Sequence, residues 1–311
     1  MPEAGTERLH PLAEGLDTLP GSEVLDRLLS AQAAALAAVR PALPALDAGA
    51  ALMARAVAAG GALVYAGAGS SALMAMADAL ELPATFGLPP GRVGILMAGG
   101  LPCTAQMPGA SEDDTDAAAA DAGRIRRGDV VIAVTASGST PYALAVATAA
   151  RARGASVIAI ANNPGAAIFA AADVRVCLAT PPEIIAGSTR MGAGTAQKVA
   201  LNLMSTLMGI RIGAVHDGRM VAVVADNAKL RDRARAMVET IAGSDAATAG
   251  AALAATGFAV KPAVLVARGL TAGDAARALA ESGGNLRAAL ARLHTTGPEK
   301  PAIPDQPGSL T

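Results

Sequence analysis

The sequence contains no tryptophan, and aromatic residues make up 2% of its 311 residues. Stacking platforms for single-stranded nucleic acid are therefore not expected, because such platforms are built from aromatic side chains. Charged residues account for 16% of the chain and the formal net charge is -1. The chain therefore lacks the basic field that attracts duplex nucleic acid or an anionic membrane. These absences argue against both a nucleic-acid partner and a membrane partner.

Cysteine, histidine and long apolar runs are also scarce. The two cysteines, Cys103 and Cys177, lie far apart, and the three histidines show neither metal-ligand nor catalytic-triad spacing. A membrane span needs about 20 predominantly apolar residues, and the apolar stretches here are shorter or interrupted. The first residues also lack the pattern of a signal peptide. We therefore expect a cytoplasmic protein without a metal or a cofactor.

Alanine and glycine dominate a composition that is 52% hydrophobic. Five short apolar runs, most of them without polar alternation, each end in a loop of small or polar residues. Parallel strands that are covered by helices on both faces have this character. Alanine-rich helical stretches separate several of the runs, which predicts a doubly wound α/β fold with a five-stranded parallel sheet. The predicted strands are residues 62–66, 93–98, 129–135, 156–161 and 174–178.

The chain is expected to have four parts. Residues 1–21 are predicted to form a loose arm, because they are polar and contain Pro11, Pro20 and Gly21. Residues 22–240 form the main domain, which opens with helices between Ser22 and about Ala59. Residues 241–294 are predicted to form a small module of three short helices, with Asp245 and Thr271 among its caps. The proline-rich residues 295–311 are expected to be a disordered tail.

Three small hydroxyl-rich loops follow predicted strands. In open α/β sheets, ligands bind beyond the carboxyl ends of the strands. Glycine allows the backbone to approach an anion closely, and helix N-termini favour negative charge. The loops therefore predict a phosphate cradle, although each could also be an ordinary turn or helix cap. No P-loop or complete dinucleotide-binding fingerprint is present. The candidate ligands are Gly69, Ser70, Ser71, Ser137, Gly138, Ser139, Thr140, Ser188 and Thr189.

Because no histidine lies in a predicted site, carboxylates are the candidates for proton transfer. Glu81 interrupts an apolar stretch, and a carboxylate buried there could act as a general acid. The alternative for Glu81 is a partly exposed charge near a helix end. Glu112 opens an acidic run and could instead interact with a helix N-terminus. Glu183 follows two prolines and could be structural or could reach the ligand.

Several of these segments resemble successive motifs of the N-acetylmuramic acid 6-phosphate etherases. The similarity runs in order through nearly the whole chain, and its longest motif lies between Glu183 and Lys198. The matching segments include Tyr65-Ala-Gly-Ala-Gly-Ser-Ser71, Glu81-Leu-Pro-Ala-Thr-Phe-Gly87, Gly109-Ala-Ser-Glu-Asp-Asp114, Ala136-Ser-Gly-Ser-Thr-Pro-Tyr142 and Gly283-Gly-Asn-Leu-Arg287.

The resemblance implies a sugar-isomerase (SIS) fold followed by a helical module similar to a ubiquitin-associated domain. It also implies a metal-independent homodimer that cleaves the D-lactyl ether of N-acetylmuramate 6-phosphate during peptidoglycan recycling. By this resemblance Glu81 is the proton donor and Glu112 is the second active-site carboxylate. The phosphate of the amino sugar would contact Ser70, Ser71, Ser137, Ser139 and Thr140.

Three positions depart from the family pattern, and each loses a cation. Leu73 and Ser139 stand where the family usually has arginine, and Gly192 stands where it has lysine. These losses leave two alternatives open. The chain could be a regulatory SIS protein that senses a sugar phosphate, or a related lyase or isomerase that acts on a different amino sugar.

Overall fold

The computed structural model describes residues 5–102, 104, 107 and 110–295. Cys103, Gly109 and the predicted tail from residue 296 onward lie outside the described residues. The chain forms two compact units. The first unit runs to Val215 and includes Ala222–Val224, and the second contains His216–Val221 and the chain from Ala225 onward.

A five-stranded parallel sheet forms the centre of the first unit, as the sequence predicts. The strand order β2-β1-β3-β4-β5 places β1 beside β3, with Gly67 opposite Val134. This order has its topological switch point between β1 and β3, where a ligand is expected to bind. The strands are β1 Leu63–Gly67, β2 Val93–Met97, β3 Val130–Thr135, β4 Ser156–Ala161 and β5 Val174–Cys177.

Two helical layers cover the sheet, because successive strand residues point to opposite faces. On one face, Tyr65 and Ile132 pack in a core with α2, α3 and α6. On the other face, Val64 and Val131 pack with α4 and α5. The helices are α1 Gly21–Ala37, α2 Leu43–Ala58, α3 Gly69–Phe86, α4 Thr115–Ala122, α5 Pro141–Ala152 and α6 Gly192–Arg211. The prediction of a doubly wound α/β fold is confirmed.

The stretch Gly21–Ala58 is apolar and long enough to cross a membrane by length and composition alone. It consists of α1 and α2, which are separated by a 3-10 turn at Arg40–Ala42. The side chains of Leu46 and Met53 in α2 are buried in the core of the first unit. α2 therefore belongs to the helical layer of a folded α/β unit, and α1 packs against α6 of the same unit.

Residues before α1 differ from the loose arm that their composition suggested. Gly5–Glu7 and Leu16–Thr18 form short 3-10 helices. Thr6 is 3% exposed, and its backbone oxygen accepts a hydrogen bond from Gly187 N at 3.2 Å. Hydrogen bonds to Gly187 and Asn163 anchor the segment. Such contacts between residues far apart in the chain cannot be predicted from local composition.

The second unit contains five helices within the described residues, and it begins earlier than the predicted residue 241. Its first helix, α7 (Ala228–Ala242), packs against α8 and α9. Most of α7 falls within residues 22–240, which the sequence assigns to the main domain, whereas the structure assigns this helix to the second unit. Beyond α7 there are four short helices instead of the expected three, and Asp245 and Thr271 cap two of them as predicted. A small ribbon of β6 Val215–His216 and β7 Arg219–Met220 precedes α7. The helices are α7 Ala228–Ala242, α8 Ala246–Ala255, α9 Val260–Ala267, α10 Ala272–Glu281 and α11 Leu286–Thr295.

Asp78 joins α3 to the sheet and to α6 through three hydrogen bonds. Its carboxylate is 4% exposed and accepts from the hydroxyl of Tyr65, the side-chain amide of Asn202 and the hydroxyl of Ser205, each at 2.8 Å. Burial and the neighbouring Asp78 charge raise the pKa of Tyr65 well above its usual value, so the phenol stays protonated and donates. A buried carboxylate is stable only with such partners. These contacts fix the rotation of α3 about its axis.

We predict that Asp78→Ala lowers the free energy of unfolding of the first unit by about 3 kcal/mol or more, because it leaves two buried donors and the half-buried amide of Asn202 without an acceptor. Both tyrosines of the chain lie in this unit, so tyrosine fluorescence during urea denaturation measures its unfolding selectively. Asp26→Ala, at an exposed position of α1, is the control and should change stability by less than about 0.5 kcal/mol. A loss below about 1 kcal/mol for Asp78→Ala would contradict this role.

Candidate active site

The carboxylate of Glu112 lies at the N-terminal end of α3, at the carboxyl edge of the sheet. Gly69, the first residue of α3, has a φ of +53°, and a Cβ there would lie 2.7 Å from Oε1 of Glu112. A side chain at residue 69 would therefore displace Glu112. The residue before the helix, Ala68, provides no side-chain cap, so the Glu112 carboxylate is the acidic group beside this N-terminus. The partial positive charge at a helix N-terminus interacts favourably with a carboxylate.

The loop after β3 is held in shape by its own hydroxyl groups. Oγ1 of Thr135 lies 2.8 Å from Oγ1 of Thr140, and the backbone N–H of Ser139 donates to Oγ of Ser137 at 3.2 Å. Gly138 has a φ of +79°, and a Cβ there would lie 2.2 Å from the Cβ of Ala166. Backbone conformation and packing both require glycine at this position. Ser139 remains exposed at the tip.

The loops after β1 and β3 meet at the switch point of the sheet. A Cβ on Gly67, at the end of β1, would lie 2.9 Å from the backbone oxygen of Val134 in β3. Ser70 is half-buried and Ser71 is 7% exposed at the start of α3, while α5 begins at Pro141 without a side-chain cap. Two uncapped helix N-termini and several hydroxyl groups therefore lie near one edge. This arrangement suits a phosphate or another anion.

Asn163, at the end of β4, holds the loop after β3 from the opposite side. Its side-chain amide donates to the backbone oxygens of Ala136 at 3.2 Å and Ser137 at 3.1 Å. The preceding Asn162 accepts from Nε2 of Gln197 in α6 at 2.8 Å. Neither asparagine is among the site residues predicted from the sequence. A pair of polar residues directly after a buried strand nevertheless indicates an ordered loop at this edge of the sheet.

Glu183 does not project toward the loops after β1 and β3. Its carboxylate is 5% exposed and accepts from the backbone N–H groups of Gly192 at 2.9 Å and Ala193 at 2.8 Å. These are the first residues of α6, so Glu183 caps that helix. Of the two roles left open for it, the structural role agrees with these contacts. Ser188 and Thr189 lie in the turn before α6, half-buried, beyond the edge strand β5.

Glu81 is exposed and lies far from Glu112 in the same chain. It follows Gly69 by twelve residues of α3, which corresponds to about 18 Å along the helix axis. Since the Glu112 carboxylate lies beside Gly69, one chain does not bring the two glutamates together. The expectation of a two-carboxylate site is therefore not met within a single chain. Of the two alternatives left open for Glu81, its exposure agrees with a charge near a helix end.

Exposed apolar side chains lie on the helical layer that contains Glu81. The adjacent Leu80 is 63% exposed. An apolar groove of about 620 Å³ lies between α2 and α6, and Asn202 in its wall also donates to Asp78, one turn before Glu81. Clusters of exposed apolar side chains mark protein contacts. Further members of this surface are Leu25 and Leu29 of α1, Leu43 of α2, and Leu203 and Ile210 of α6.

The three positions that lack the expected cations differ in their surroundings. Leu73 is half-buried in the second turn of α3, and Ser139 is exposed in the loop after β3. At Gly192, a Cβ would lie 3.0 Å from the Cβ of Ala35 and 3.1 Å from Oε2 of Glu183. Glu183 therefore interacts with the backbone at a place where a lysine side chain would otherwise begin. The described residues contain no group of three or more His, Cys, Asp or Glu side chains that could hold a metal.

Comparison with known proteins identifies related sequences along nearly the whole chain. The SIS domain family matches residues 104–207. The N-acetylmuramic acid 6-phosphate etherase of Deinococcus radiodurans is 44% identical over 295 residues, which cover 94% of this chain and 97% of the relative. The etherase of Streptomyces avermitilis is 41% identical and covers 92% of this chain and 93% of its own length.

The fold also has counterparts among solved structures. A Bacteroides fragilis protein assigned as a phosphosugar isomerase involved in capsule formation superimposes with a TM-score of 0.52 at 21% identity. The match covers 64% of this chain and 95% of that protein. At this identity the likeness supports the SIS-type fold alone.

We predict that Gly138→Ala destabilises the first unit by about 2 kcal/mol or more, because it combines a positive φ with a direct clash against Ala166. Urea denaturation followed by tyrosine fluorescence measures the effect. Gly165→Ala is the matched control, since a Cβ there would meet nothing within 4 Å. If both variants have the same stability as the wild type, the proposed packing of this loop is wrong.

Proposed function

The chain belongs to the N-acetylmuramic acid 6-phosphate etherase family, and we propose that it cleaves the D-lactyl ether of N-acetylmuramate 6-phosphate. The products are N-acetylglucosamine 6-phosphate and D-lactate, in the recycling of peptidoglycan amino sugars. The observation that carries this proposal is the 44% identity to an etherase over 94% of the chain and 97% of the relative. An enzyme of the carbon–oxygen lyase class needs a proton acceptor and a proton donor, and the chain has a candidate for each.

The reaction is an elimination followed by a hydration. In the open-chain sugar, the proton on C2 is acidic because the aldehyde at C1 stabilises the carbanion. A base removes this proton, the C3–O bond breaks, and an acid protonates the departing lactyl oxygen. Water then adds across the double bond, placing a hydroxyl on C3 and a proton on C2. General acid–base catalysis of this kind contributes about 10²–10⁴-fold for each group.

Glu112 suits the role of base in this scheme. Its carboxylate lies over the N-terminus of α3, beside the loop predicted to bind the phosphate. The family resemblance assigns Glu81 as the donor, so the two glutamates have different roles in the proposal.

Glu81 reaches the same substrate when it comes from a second copy of the chain. The base must reach the proton on C2, and the acid must reach the lactyl oxygen on the adjacent C3, each within about 3 Å. A separation of about 18 Å between the two carboxylates within one chain excludes this. The exposed Leu80 next to Glu81 and the exposed apolar residues of α2 and α6 in the same helical layer are consistent with a surface that a second copy covers. We therefore propose a homodimer in which each site combines Glu112 of one chain with Glu81 of its partner.

The phosphate is proposed to bind where the loops after β1 and β3 meet. Its ligands would be the hydroxyl groups of Ser70, Ser71, Ser137, Ser139 and Thr140, together with backbone N–H groups near Gly69 and Gly138. Glu183, Ser188 and Thr189 are assigned to the turn that begins α6, where Glu183 serves as a cap. This division leaves the helix dipoles and hydroxyl groups as the main anion-binding elements.

The absence of three cations of the family pattern is the observation that favours the two alternative functions, a regulatory protein or a related lyase or isomerase. A regulatory protein that senses a sugar phosphate would not need Glu81 and Glu112, and both residues are present in their motifs. A related lyase that acts on a less charged amino sugar would retain them. Release of D-lactate distinguishes these functions, because only the proposed reaction produces it.

Metal independence and a cytoplasmic location are further parts of the proposal. Activity in the presence of EDTA tests metal independence.

We predict that the purified protein releases D-lactate from N-acetylmuramate 6-phosphate and that Glu112→Gln lowers kcat by about 10²-fold or more, because the amide cannot accept the C2 proton. An enzymatic D-lactate assay measures the rate. The adjacent exposed Asp113→Asn is the matched control and should keep wild-type activity. A folded wild-type protein that releases no D-lactate would disprove the substrate, whereas an active Glu112→Gln variant would disprove only the role of Glu112.

We predict that two inactive variants restore activity when they form a mixed dimer. A heterodimer of Glu81→Gln and Glu112→Gln chains contains one site with both glutamates and one site with neither, so it should show about half of the wild-type activity. Differently tagged chains, co-expressed and purified through both tags, provide the sample for the D-lactate assay.

The contradicting outcome is a mixed dimer as inactive as its parents, which would place both carboxylates of a site in one chain. Leu203→Asp, in the apolar surface, provides a second measurement. It should produce a folded monomer by light scattering and abolish D-lactate release.

A further inference from the structure

The first residues of the structure lie at the edge of the sheet that carries the site. Thr6 is almost fully buried between two loops that follow strands. Its backbone oxygen accepts from Gly187 N at 3.2 Å, in the turn before α6, and its hydroxyl lies 3.5 Å from Nδ2 of Asn163. The same Asn163 amide supports the loop that contains Ser137. The segment Gly5–Glu7 is therefore attached to the polar network of the predicted substrate site.

Arg8 follows this anchored segment and is exposed beside it. A Cβ on Gly5 would lie 3.0 Å from Oδ1 of Asn163 and 3.5 Å from Nη2 of Arg8. The guanidinium group is therefore close to Asn163, at the carboxyl edge of the sheet. Among the residues that the structure describes, Arg8 forms no salt bridge. Its charge is available to an anion at this edge.

The proposed substrate has two anionic groups, and the loops account for one of them. The hydroxyl groups and helix N-termini at the β1/β3 switch point suit the phosphate. The lactyl carboxylate has no assigned partner, because Leu73, Ser139 and Gly192 replace three cations of the family pattern. Arginine binds carboxylates well, since its planar guanidinium donates two parallel hydrogen bonds. Arg8 lies on the β4 side of the switch point, near Asn163, whereas the preceding Thr6 and Glu7 lie beside Gly187.

We propose that the guanidinium of Arg8 binds the carboxylate of the lactyl group and that the Thr6 contacts hold it in place for this purpose. The proposal rests on the proposed etherase function. It makes Arg8 a specificity-determining residue, because the carboxylate is present in the ether substrate and in D-lactate but absent from the sugar phosphate product. A preorganised arginine also loses less conformational entropy on binding than one on a mobile segment.

The decisive experiment compares the affinities for substrate and product. In a Glu112→Gln background, which prevents turnover, Arg8→Ala should weaken binding of N-acetylmuramate 6-phosphate by about tenfold or more in isothermal titration calorimetry. Binding of N-acetylglucosamine 6-phosphate should change by less than about twofold, because that molecule has no lactyl carboxylate. Arg8→Lys, which keeps the charge but loses the paired donors, should lie between these values for the substrate.

Two controls make the result specific to Arg8. Arg175→Ala removes an exposed arginine of β5 and should leave both affinities unchanged. Arg190→Ala removes the other arginine near Gly187 and should affect the substrate less than Arg8→Ala does. Circular dichroism and thermal unfolding verify that each variant is folded.

Several results would overturn the proposal. Equal losses for substrate and product would assign Arg8 to the phosphate or to the fold, and a substrate-specific loss in Arg190→Ala alone would assign the carboxylate to Arg190. No loss in Arg8→Ala would remove Arg8 from the site. Failure of the etherase function itself is recognised separately, since the wild-type protein would then release no D-lactate.

Discussion

The hydrogen bonds of Asp78 determine how the rest of the first unit is arranged. This one carboxylate accepts from the sheet through Tyr65 and from α6 through Asn202 and Ser205, so α3 has a single rotation about its axis. At about 100° per residue, Leu80 then lies opposite Asp78 on the helix. It is 63% exposed for this reason. Glu81 lies about 60° from Asp78 around the helix and is also exposed. Asn202, which donates to Asp78, lines the apolar groove between α2 and α6.

The same rotation and the length of α3 explain why one chain has an incomplete pair of carboxylates. The helix begins at the switch point, where Gly69 gives Glu112 room, and it carries Glu81 about 18 Å away from that point. An apolar surface around an exposed acid is unfavourable in water but suits a contact between two chains. The proposed dimer therefore buries the apolar surface and completes the catalytic pair through the same contact.

Short-range patterns in the sequence predicted the fold well, because each element has a local cause. Buried apolar runs indicate parallel strands. Pro41 lies in the 3-10 turn that separates α1 from α2, and Pro44 lies in the first turn of α2. The cap at Asp245 is equally local, since its side chain accepts from Thr248 three residues later. The two loops at the switch point were predictable for the same reason. Each loop is a short segment between a strand and a helix.

Contacts between distant parts of the chain were not predictable from such patterns. The role of Glu183 depends on the N-terminus of α6, and the burial of Thr6 depends on Gly187 and Asn163. The separation of Glu81 from Glu112 depends on where α3 begins and how far it extends from the site, and no sequence motif contains this information. The polar composition of residues 1–21 predicts a loose segment. In the structure, however, the buried Thr6 anchors Gly5–Glu7 through its contacts with Gly187 and Asn163.

The low charge of the sequence has a structural counterpart at the site. At the three positions where the family pattern predicts cations, this chain has Leu73, Ser139 and Gly192. The proposed anion-binding elements are therefore backbone N–H groups, hydroxyl groups and helix N-termini. Such groups are fixed by the fold, so in the proposed site they would hold a phosphate without the conformational cost of ordering long side chains. They offer less to a carboxylate attached to a flexible lactyl group at the other end of the substrate. A cation brought by the N-terminal segment fills that role, because Thr6 anchors it to the same loops that would hold the phosphate.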